Sequence, residues 1–435
     1  MIEKAEGAGP PASAPRQGTG LFVSPGPEIR RILDGVPDLV NKTFPLPGRF
    51  RAALPADVAE LSRLLTGGRG ERKLSYLGRP NLLSAYLRYF LPWNLYRLCR
   101  LLPSLDLSLS PDDTVIDLGS GPLTLVSALW ISRPEFRSLP LEFYCVDRTG
   151  AVLEAGEKFF SALAKICPAD SGICPWKIKT LRGSIGASGV LLSAEGKAPF
   201  LKFRAHNERP PALICAVNVF TENYGNIHNR EGLRRYAEHS AGLLAGLSGA
   251  SGSVLVVEPG VPRSGEFVSA LRSAVIEKGL VSLSPCPHAD PCPFPGGKNG
   301  ADGNGRGGTG KGRWCHFAFD TEDAPRELHH LSAAAGLPKE RAVLSFLFAG
   351  PEEAGGRERQ REAVRVISDA FPLNRGPYGR YGCSGRGLAL VVGSRSIVEK
   401  TGSGALLSAG DCTLTKEPEQ RDSKSGALVF ELVSR

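Results

Sequence analysis

A chain of 435 residues can bury a large core, enough for one big domain with additions or for two to three units, which excludes a miniprotein held together by disulfides. Its 53 basic against 44 acidic side chains leave a net charge of +9, a surplus that points toward a phosphate-rich partner more than a membrane, because no strongly basic amphipathic helix stands out. Ten irregularly spaced cysteines do not form the ladder of a secreted scaffold, so buried, catalytic or metal-ligating thiols in a reducing compartment are expected.

The opening "MIEKAEGAGPPASAP" lacks the apolar stretch of a signal peptide, and residues 1–26 are expected to be disordered. The most apolar window, "FLPWNLYRLCRLLPSL", is broken by two prolines and by Asn94, Arg97 and Arg100, so no membrane span is expected and the location is taken as cytoplasmic. Residues 27–110 read as a helical domain: "PADVAELSRLLTGG" carries apolar residues at helical spacing and stops at a glycine pair, and "NLLSAYLRYFLPWNLYRLCRLLPSL" repeats the pattern with a kink at Pro92.

From Asp112 the rhythm changes. "DTVIDLGSGPL", "LEFYCVDRTG", "WKIKTLRGSI", "PALICAVNVF" and "GSVLVVEPG" are short apolar runs separated by segments of helical pattern, which predicts a doubly wound parallel sheet over residues 111–350. "VSLSP" and "RAVLSFLFAG" are expected to be its last strands, with a cysteine-rich insertion, 285–318, between them. Residues 296–312 hold nine glycines in seventeen positions and read as a linker. After a polar break, "GPEEAGGRERQRE", residues 364–435 read as a small β-rich domain of short strands and glycine turns, possible as a barrel.

In "VIDLGSGPL", Gly119 and Gly121 allow a tight turn and close approach of backbone to a ligand, with Ser120 between them. Asp117 ends the first strand and can accept from an ammonium or order the loop. Asp147, thirty residues on and followed by Arg148, stands where a carboxylate takes the hydroxyls of a ribose. The third glycine of a dinucleotide fingerprint is missing, and Asp-x-Gly-x-Gly with a later ribose acid resembles the S-adenosylmethionine site of class I methyltransferases. Asn218 occupies the substrate-facing position after the fourth strand, as a cofactor contact and candidate catalytic group or as an amide capping a turn. Glu258 either orients the same pocket or caps the "GEFVSAL" helix. No Asn-Pro-Pro-Tyr loop and no cysteine placed as a nucleophile for C5 methylation are present.

"SPCPHADPCPF" sets Cys286 and Cys292 among prolines that fix the backbone before any ligand arrives, and "RWCHF" adds Cys315. These three make a thiolate set whose fourth member is open among His288, His316, Cys383 and Cys412, whereas Cys145 and Cys215 lie inside predicted strands as core residues. Sulfur ligation suits zinc or an iron–sulfur cluster, and spacing does not choose between them.

Taken in order, "YLRYFLP", "VIDLGSGPL", "VVEPGVPRSGEF", "SPCPHADPCPF", "RWCHF" and "GCSGRG" resemble the Rsm22 family, methyltransferase-like proteins of the small ribosomal subunit with mitochondrial and bacterial members. The resemblance runs from about residue 75 to 415, and the glycine-rich insertion is longer here than the usual family loop. It implies a class I S-adenosylmethionine-dependent (Rossmann-like) fold and a [4Fe–4S] cluster on Cys286, Cys292, Cys315 and Cys383. It implies partnership with the small ribosomal subunit and its rRNA during assembly or translation, either as an rRNA methyltransferase or as an assembly factor that keeps the pocket without turnover. No membrane partner is expected, and the chain is expected to act as a monomer.

Overall fold

The computed structural model describes residues 20–66, 76–186, 191–193, 209–224, 227, 229–294, 314–352, 363–374, 376–408, 410–414 and 420–432. The glycine-rich linker and most of the second polar break lie outside the described residues, as does 1–19 of the stretch expected to be disordered. Residues 20–26 correct that expectation: Leu21 and Phe22 are buried, and the Phe22 ring stacks on Phe319 at 5.0 Å and meets Phe317 at 5.7 Å. Two buried apolar side chains suffice to hold residues 20–26 against the core.

Among the described residues, the α-helices α1 (Pro27–Thr43), α2 (Gly48–Thr66), α3 (Pro80–Ala85) and α4 (Leu91–Leu101) precede the first strand. A π-turn, Tyr86–Phe90, joins α3 to α4. Pro92 has no N–H and its ring collides with the carbonyl four residues back, so the expected kink is absorbed just before it as a widened turn closed by Leu91 N–H donating to Tyr86 O.

The α/β part then runs β1 (Thr114–Leu118), α5 (Thr124–Ser132), β2 (Glu142–Asp147), α6 (Gly150–Ile166), β3 (Lys177–Ile185), β4 (Leu191–Ser193), β5 (Leu213–Val217), α7 (Phe220–Tyr224), α8 (Arg230–Ser248), β6 (Ser253–Pro259), α9 (Pro262–Glu277), β7 (Val281–Ser284), β8 (Phe317–Asp320), α10 (Arg326–Ala334) and β9 (Arg341–Gly350). The strand order is β4-β3-β2-β1-β5-β6-β9-β7, with β8 added on β9. Strands β3, β2, β1, β5 and β6 are mutually parallel. The parallel expectation fails after β6, where β9 inserts antiparallel between β6 and β7. Residues alternate between two cores: Val115, Phe143 and Leu213 pack under α4 and α5, while Ile116, Val146 and Ile214 pack under α8 and α9. The chain reverses direction across the sheet between β1 and β5, which opens a crevice at their carboxyl ends, the place where such sheets bind ligands.

The C-terminal part contains β10 (Val364–Val366), β11 (Phe371–Pro372), β12 (Tyr378–Ser384), β13 (Gly387–Gly393), α11 (Arg395–Lys400), β14 (Leu406–Leu407), β15 (Cys412–Leu414) and β16 (Leu428–Leu432). Its order is β14-β10-β12-β13-β16-β15, with β11 on β12. Among the described residues this is an open path, not the closed barrel that its short strands allowed. It is tied to the cysteine segment by Arg365, whose guanidinium donates to Pro285 O at 2.8 Å and to Gly404 O at 2.7 Å.

Candidate functional site: a glycine crevice and a thiol cluster

At the end of β1 the chain turns through two left-handed glycines, Gly119 at φ 68° and Gly121 at φ 55°. Close packing requires the first of them: a Cβ at Gly119 would lie 2.3 Å from Val219 Cγ2, on the loop that follows β5. The Gly119 and Ser120 N–H groups both donate to Val146 O, at 2.7 and 3.0 Å. The Ser120 hydroxyl donates to Asp117 O at 2.7 Å. The Ser120 side chain is therefore turned inward and holds the loop.

Asp147 sits across the loop. Its carboxylate accepts from Gly121 N–H at 3.1 Å and from Thr149 N–H at 2.9 Å, with lone pairs left over for further donors. Burial lifts its pKa, opposed by those two N–H groups. Arg148 turns to Glu222 at 2.7 Å, and Glu222 also accepts from Tyr76 O–H at 2.8 Å, so a Tyr76–Glu222–Arg148 strap lies beside Asp147. Asn218 adopts φ 57°, a conformation asparagine tolerates, with its N–H donating to Val257 O at 2.7 Å. Its Oδ1, just after β5, and Asp117 Oδ2, near the end of β1, are two buried oxygens without a hydrogen-bond partner.

Glu258 neither faces this opening nor caps α9. It is fully buried and accepts from Phe220 N–H at 2.9 Å, Thr221 N–H at 3.3 Å and the Thr221 hydroxyl at 2.9 Å, which anchors the start of α7. Burial raises its pKa to about 7 against those bonds.

Burial, opposed by Ser120 and helped by the charge of Asp147, raises Asp117 to about 8. From the ordinary carboxylate range up to about 8, the unfolded chain has lost this proton and the folded one keeps it. Stability therefore falls as pH rises through that window and levels off above it. Asp117→Asn is expected to stabilise the ligand-free protein by about 1–3 kcal/mol at pH 8, and to leave it unchanged at the acid end of the window. Thermal melts at pH 5 and pH 8 check this, and an equal wild-type and variant response to pH contradicts it.

The cysteines gather at the other side of β9. Cys286, Cys292 and Cys315 are partly buried and Cys383, on β12, is buried. Burial, followed by Cys286, Cys292 and Cys315 in turn, pushes the Cys383 thiol well up. Cys315 is raised in the same way by burial, Cys292 and Cys286. The four thiols thus act on one another across a sequence separation that spans the linker. His288 Nε2 lies 3.0 Å from Cys383 Sγ, while its Nδ1 has no hydrogen-bond partner. Buried Arg272 of α9 donates to His288 O at 2.5 Å, and its charge opposes the upward shift of Cys292, Cys315 and Cys383. His316 instead stacks on Trp314 at 4.8 Å, and Cys412 donates to Ser408 O at 3.6 Å inside the C-terminal core. Cys145 and Cys215 are buried core residues of β2 and β5. Among the described residues, no group of three or more His, Cys, Asp or Glu side chains is arranged to hold a metal ion.

Sequence reasoning missed several participants. Gly156, in the middle of α6, lets that helix seat on the glycine loop, since a Cβ there would lie 2.6 Å from Leu123 Cγ and from Pro122 C. A glycine inside an otherwise apolar helical stripe was the available signal. Gly265 does the same for the third cysteine, its absent Cβ standing 2.7 Å from Trp314 Cδ1 and 3.0 Å from Cys315 O. Tyr86, on the π-turn, brings its hydroxyl within 3.8 Å of a Cβ built on Gly121, and nothing local in "YLRYF" marks it.

Strand order, switch-point crevice and left-handed glycine loop define the class: a mixed α/β, Rossmann-like architecture resembling that of S-adenosylmethionine-dependent methyltransferases. Residues 234–371 match the family described as "Mitochondrial small ribosomal subunit Rsm22". That segment runs from α8 to β11 and includes Cys286, Cys292 and Cys315 but neither the glycine loop nor Cys383. The description overturns the expected cytoplasmic location, because the family is described as mitochondrial. No curated protein matches the chain.

Solved structures include TrmN from Thermus thermophilus, 15% identical over 44% of this chain and 46% of that one, TM-score 0.24. The chain thus spans less than half the length of TrmN. Geranyl diphosphate C-methyltransferase from Streptomyces coelicolor A3(2) is 10% identical over 56% and 74%, TM-score 0.26. Cyclopropane synthase MmaA2 from Mycobacterium tuberculosis is 10% identical over 74% and 98%, TM-score 0.29. Superpositions this loose leave the fold to rest on the strand order.

Proposed function

We propose that the chain is an S-adenosylmethionine-binding, iron–sulfur-containing, methyltransferase-like protein that acts on or binds the small ribosomal subunit or its rRNA. The observation that carries this reading is the crevice itself: a left-handed glycine loop with a ribose acid across it and two unpartnered buried oxygens, Asp117 Oδ2 and Asn218 Oδ1, at its sides. Gly119 and Gly121 would let backbone approach the cofactor, Asp147 would take the ribose hydroxyls, and Asp117 would receive the ammonium, whose charge offsets the burial that now keeps it protonated. When bound, the cofactor supplies a methyl group activated on a sulfonium. The chain's residues contribute position and a dry, shaped wall.

The thiol set suits a cluster chemically. Burial and neighbouring thiols push Cys292, Cys315 and Cys383 up, a bound cation would displace their protons to solvent, and Arg272 and Arg365 would offset the negative charge that results. Cys286, Cys292, Cys315 and Cys383 would hold a [4Fe–4S] cluster, which would fasten the insertion to the C-terminal sheet. Zinc is the alternative occupant, and metal analysis separates the two.

One observation favours a second reading, an assembly factor without turnover. Asp147 is held by two N–H groups and Glu222 by Tyr76 and Arg148, while Asp117, whose Oδ2 has no partner, is assigned to the cofactor's ammonium. What remains is positioning by Asn218, not proton transfer. Titration of S-adenosylmethionine into the purified protein, followed by labelled methyl transfer to small-subunit rRNA, decides between them. Saturable binding is expected; no binding sinks both readings, and binding without transfer selects the second.

A further inference from the structure

Away from the crevice, a cavity of about 350 Å³ lies between α1, α2, the π-turn and α10, with Asn41, Leu46, Arg51, Leu54, Arg88 and Glu327 among its walls. Its volume falls in the range of small-ligand sites. Arg88 is 8% exposed, and its partners are neutral oxygens: Phe44 O, the Ser84 hydroxyl at 2.9 Å and Ser84 O at 3.5 Å. Burial and then the charge of Arg51 lower its pKa, so two guanidiniums face the same space and repel each other. Arg51 donates to Leu46 O at 3.5 Å, and Glu327 across the cavity forms no ion pair with either arginine among the described residues. A buried cation without a counter-ion is costly, and an anion that enters relieves it. Next to Arg51 in the first turn of α2, Phe50 is 47% exposed, with the Arg49 guanidinium 4.7 Å from its ring centre.

We infer that this cavity and Phe50 together bind single-stranded RNA, one phosphate entering between Arg51 and Arg88 while an unpaired base stacks on the Phe50 ring. The inference rests on the reading that RNA is a partner, and it names a contact site separate from the crevice. Exposed aromatics interleaved with cations are how sequence-tolerant single-strand binding works, because every base offers a π-face. A duplex keeps its bases stacked on one another and offers none.

The test uses the full chain and a short fluorescein-labelled oligouridylate, read by fluorescence polarisation across a salt series, with a duplex RNA of equal length and inorganic phosphate as further arms. Arg88 is packed and its replacement can unfold the region, so the variants are Phe50→Ala and Arg51→Gln, both at exposed positions. Phe50→Ala is expected to weaken oligouridylate binding about five- to hundredfold with no change for duplex. Arg51→Gln is expected to lower the log–log salt slope by about 0.7. Cofactor affinity and iron content stay at wild-type levels in both variants, which separates this site from the crevice and the thiols. Unchanged oligouridylate affinity in both variants overturns the inference. So does competition by inorganic phosphate with Phe50→Ala binding as wild type, because then no base is stacked.

Discussion

Gly119→Ala is expected to abolish saturable S-adenosylmethionine binding at concentrations that fill the wild-type protein, and to destabilise the chain by about 2–4 kcal/mol. Two penalties add at this position. The left-handed backbone, φ 68°, disfavours any Cβ, and the new methyl meets the stiff, β-branched Val219 at 2.3 Å from Cγ2 and 2.6 Å from Cβ. Relief requires the loop after β5 to withdraw, and Asn218 moves with it. Gly172→Ala supplies the control: its φ of 74° carries the same backbone strain, but nothing lies within 4 Å of the new methyl. That variant is expected to lose about 1–2 kcal/mol and to bind as wild type. Calorimetric titration of both variants checks the pair. Full affinity in Gly119→Ala would mean that the methyl donor does not approach this turn.

The second large effect concerns the thiols. Cys286→Ser is expected to remove bound iron and acid-labile sulfide and to destabilise the protein by about 4–5 kcal/mol, the range of variants that lose a metal. The loss should be felt in two places, since Arg365 of β10 holds Pro285 O and His288 touches Cys383 of β12. Limited proteolysis is then expected to cut the connection between β9 and β10 faster than in wild type. Cys145→Ser places a hydroxyl in the buried sheet core and costs about 1–3 kcal/mol, yet should leave iron content unchanged. Equal iron loss in the two variants would rule out the ligand set.

Much of the α/β frame was legible because its signal is local. Each of β1, β2, β5 and β6 is a short apolar run ended by a polar turn, and the β1 glycines announce the left-handed loop that the structure contains. Prolines around Cys286 and Cys292 likewise marked a loop, but gave no sign that Cys292 and Cys315 would pack against the main apolar core. What stayed hidden depends on contacts between distant segments. The strap of Tyr76, Glu222 and Arg148 joins residues from the helical layer, α7 and the end of β2, and no one of these stretches implies the others. Strand β8 and helix α10 escaped notice because four residues, Phe317–Asp320, are too few to show a period beside a glycine-rich run. The antiparallel insertion of β9 is a topological choice: "RAVLSFLFAG" reads the same in either direction. Pro92 predicted a break and could not say that a π-turn would take it up.

Thiols from the insertion and from β12 are proposed to share one inorganic centre. Iron, acid-labile sulfide and zinc counted per chain in protein purified without oxygen test this most directly. A brown protein with four irons and four sulfides that are lost together in Cys383→Ser is expected; a colourless protein whose metal content is indifferent to Cys383 would refute the shared centre.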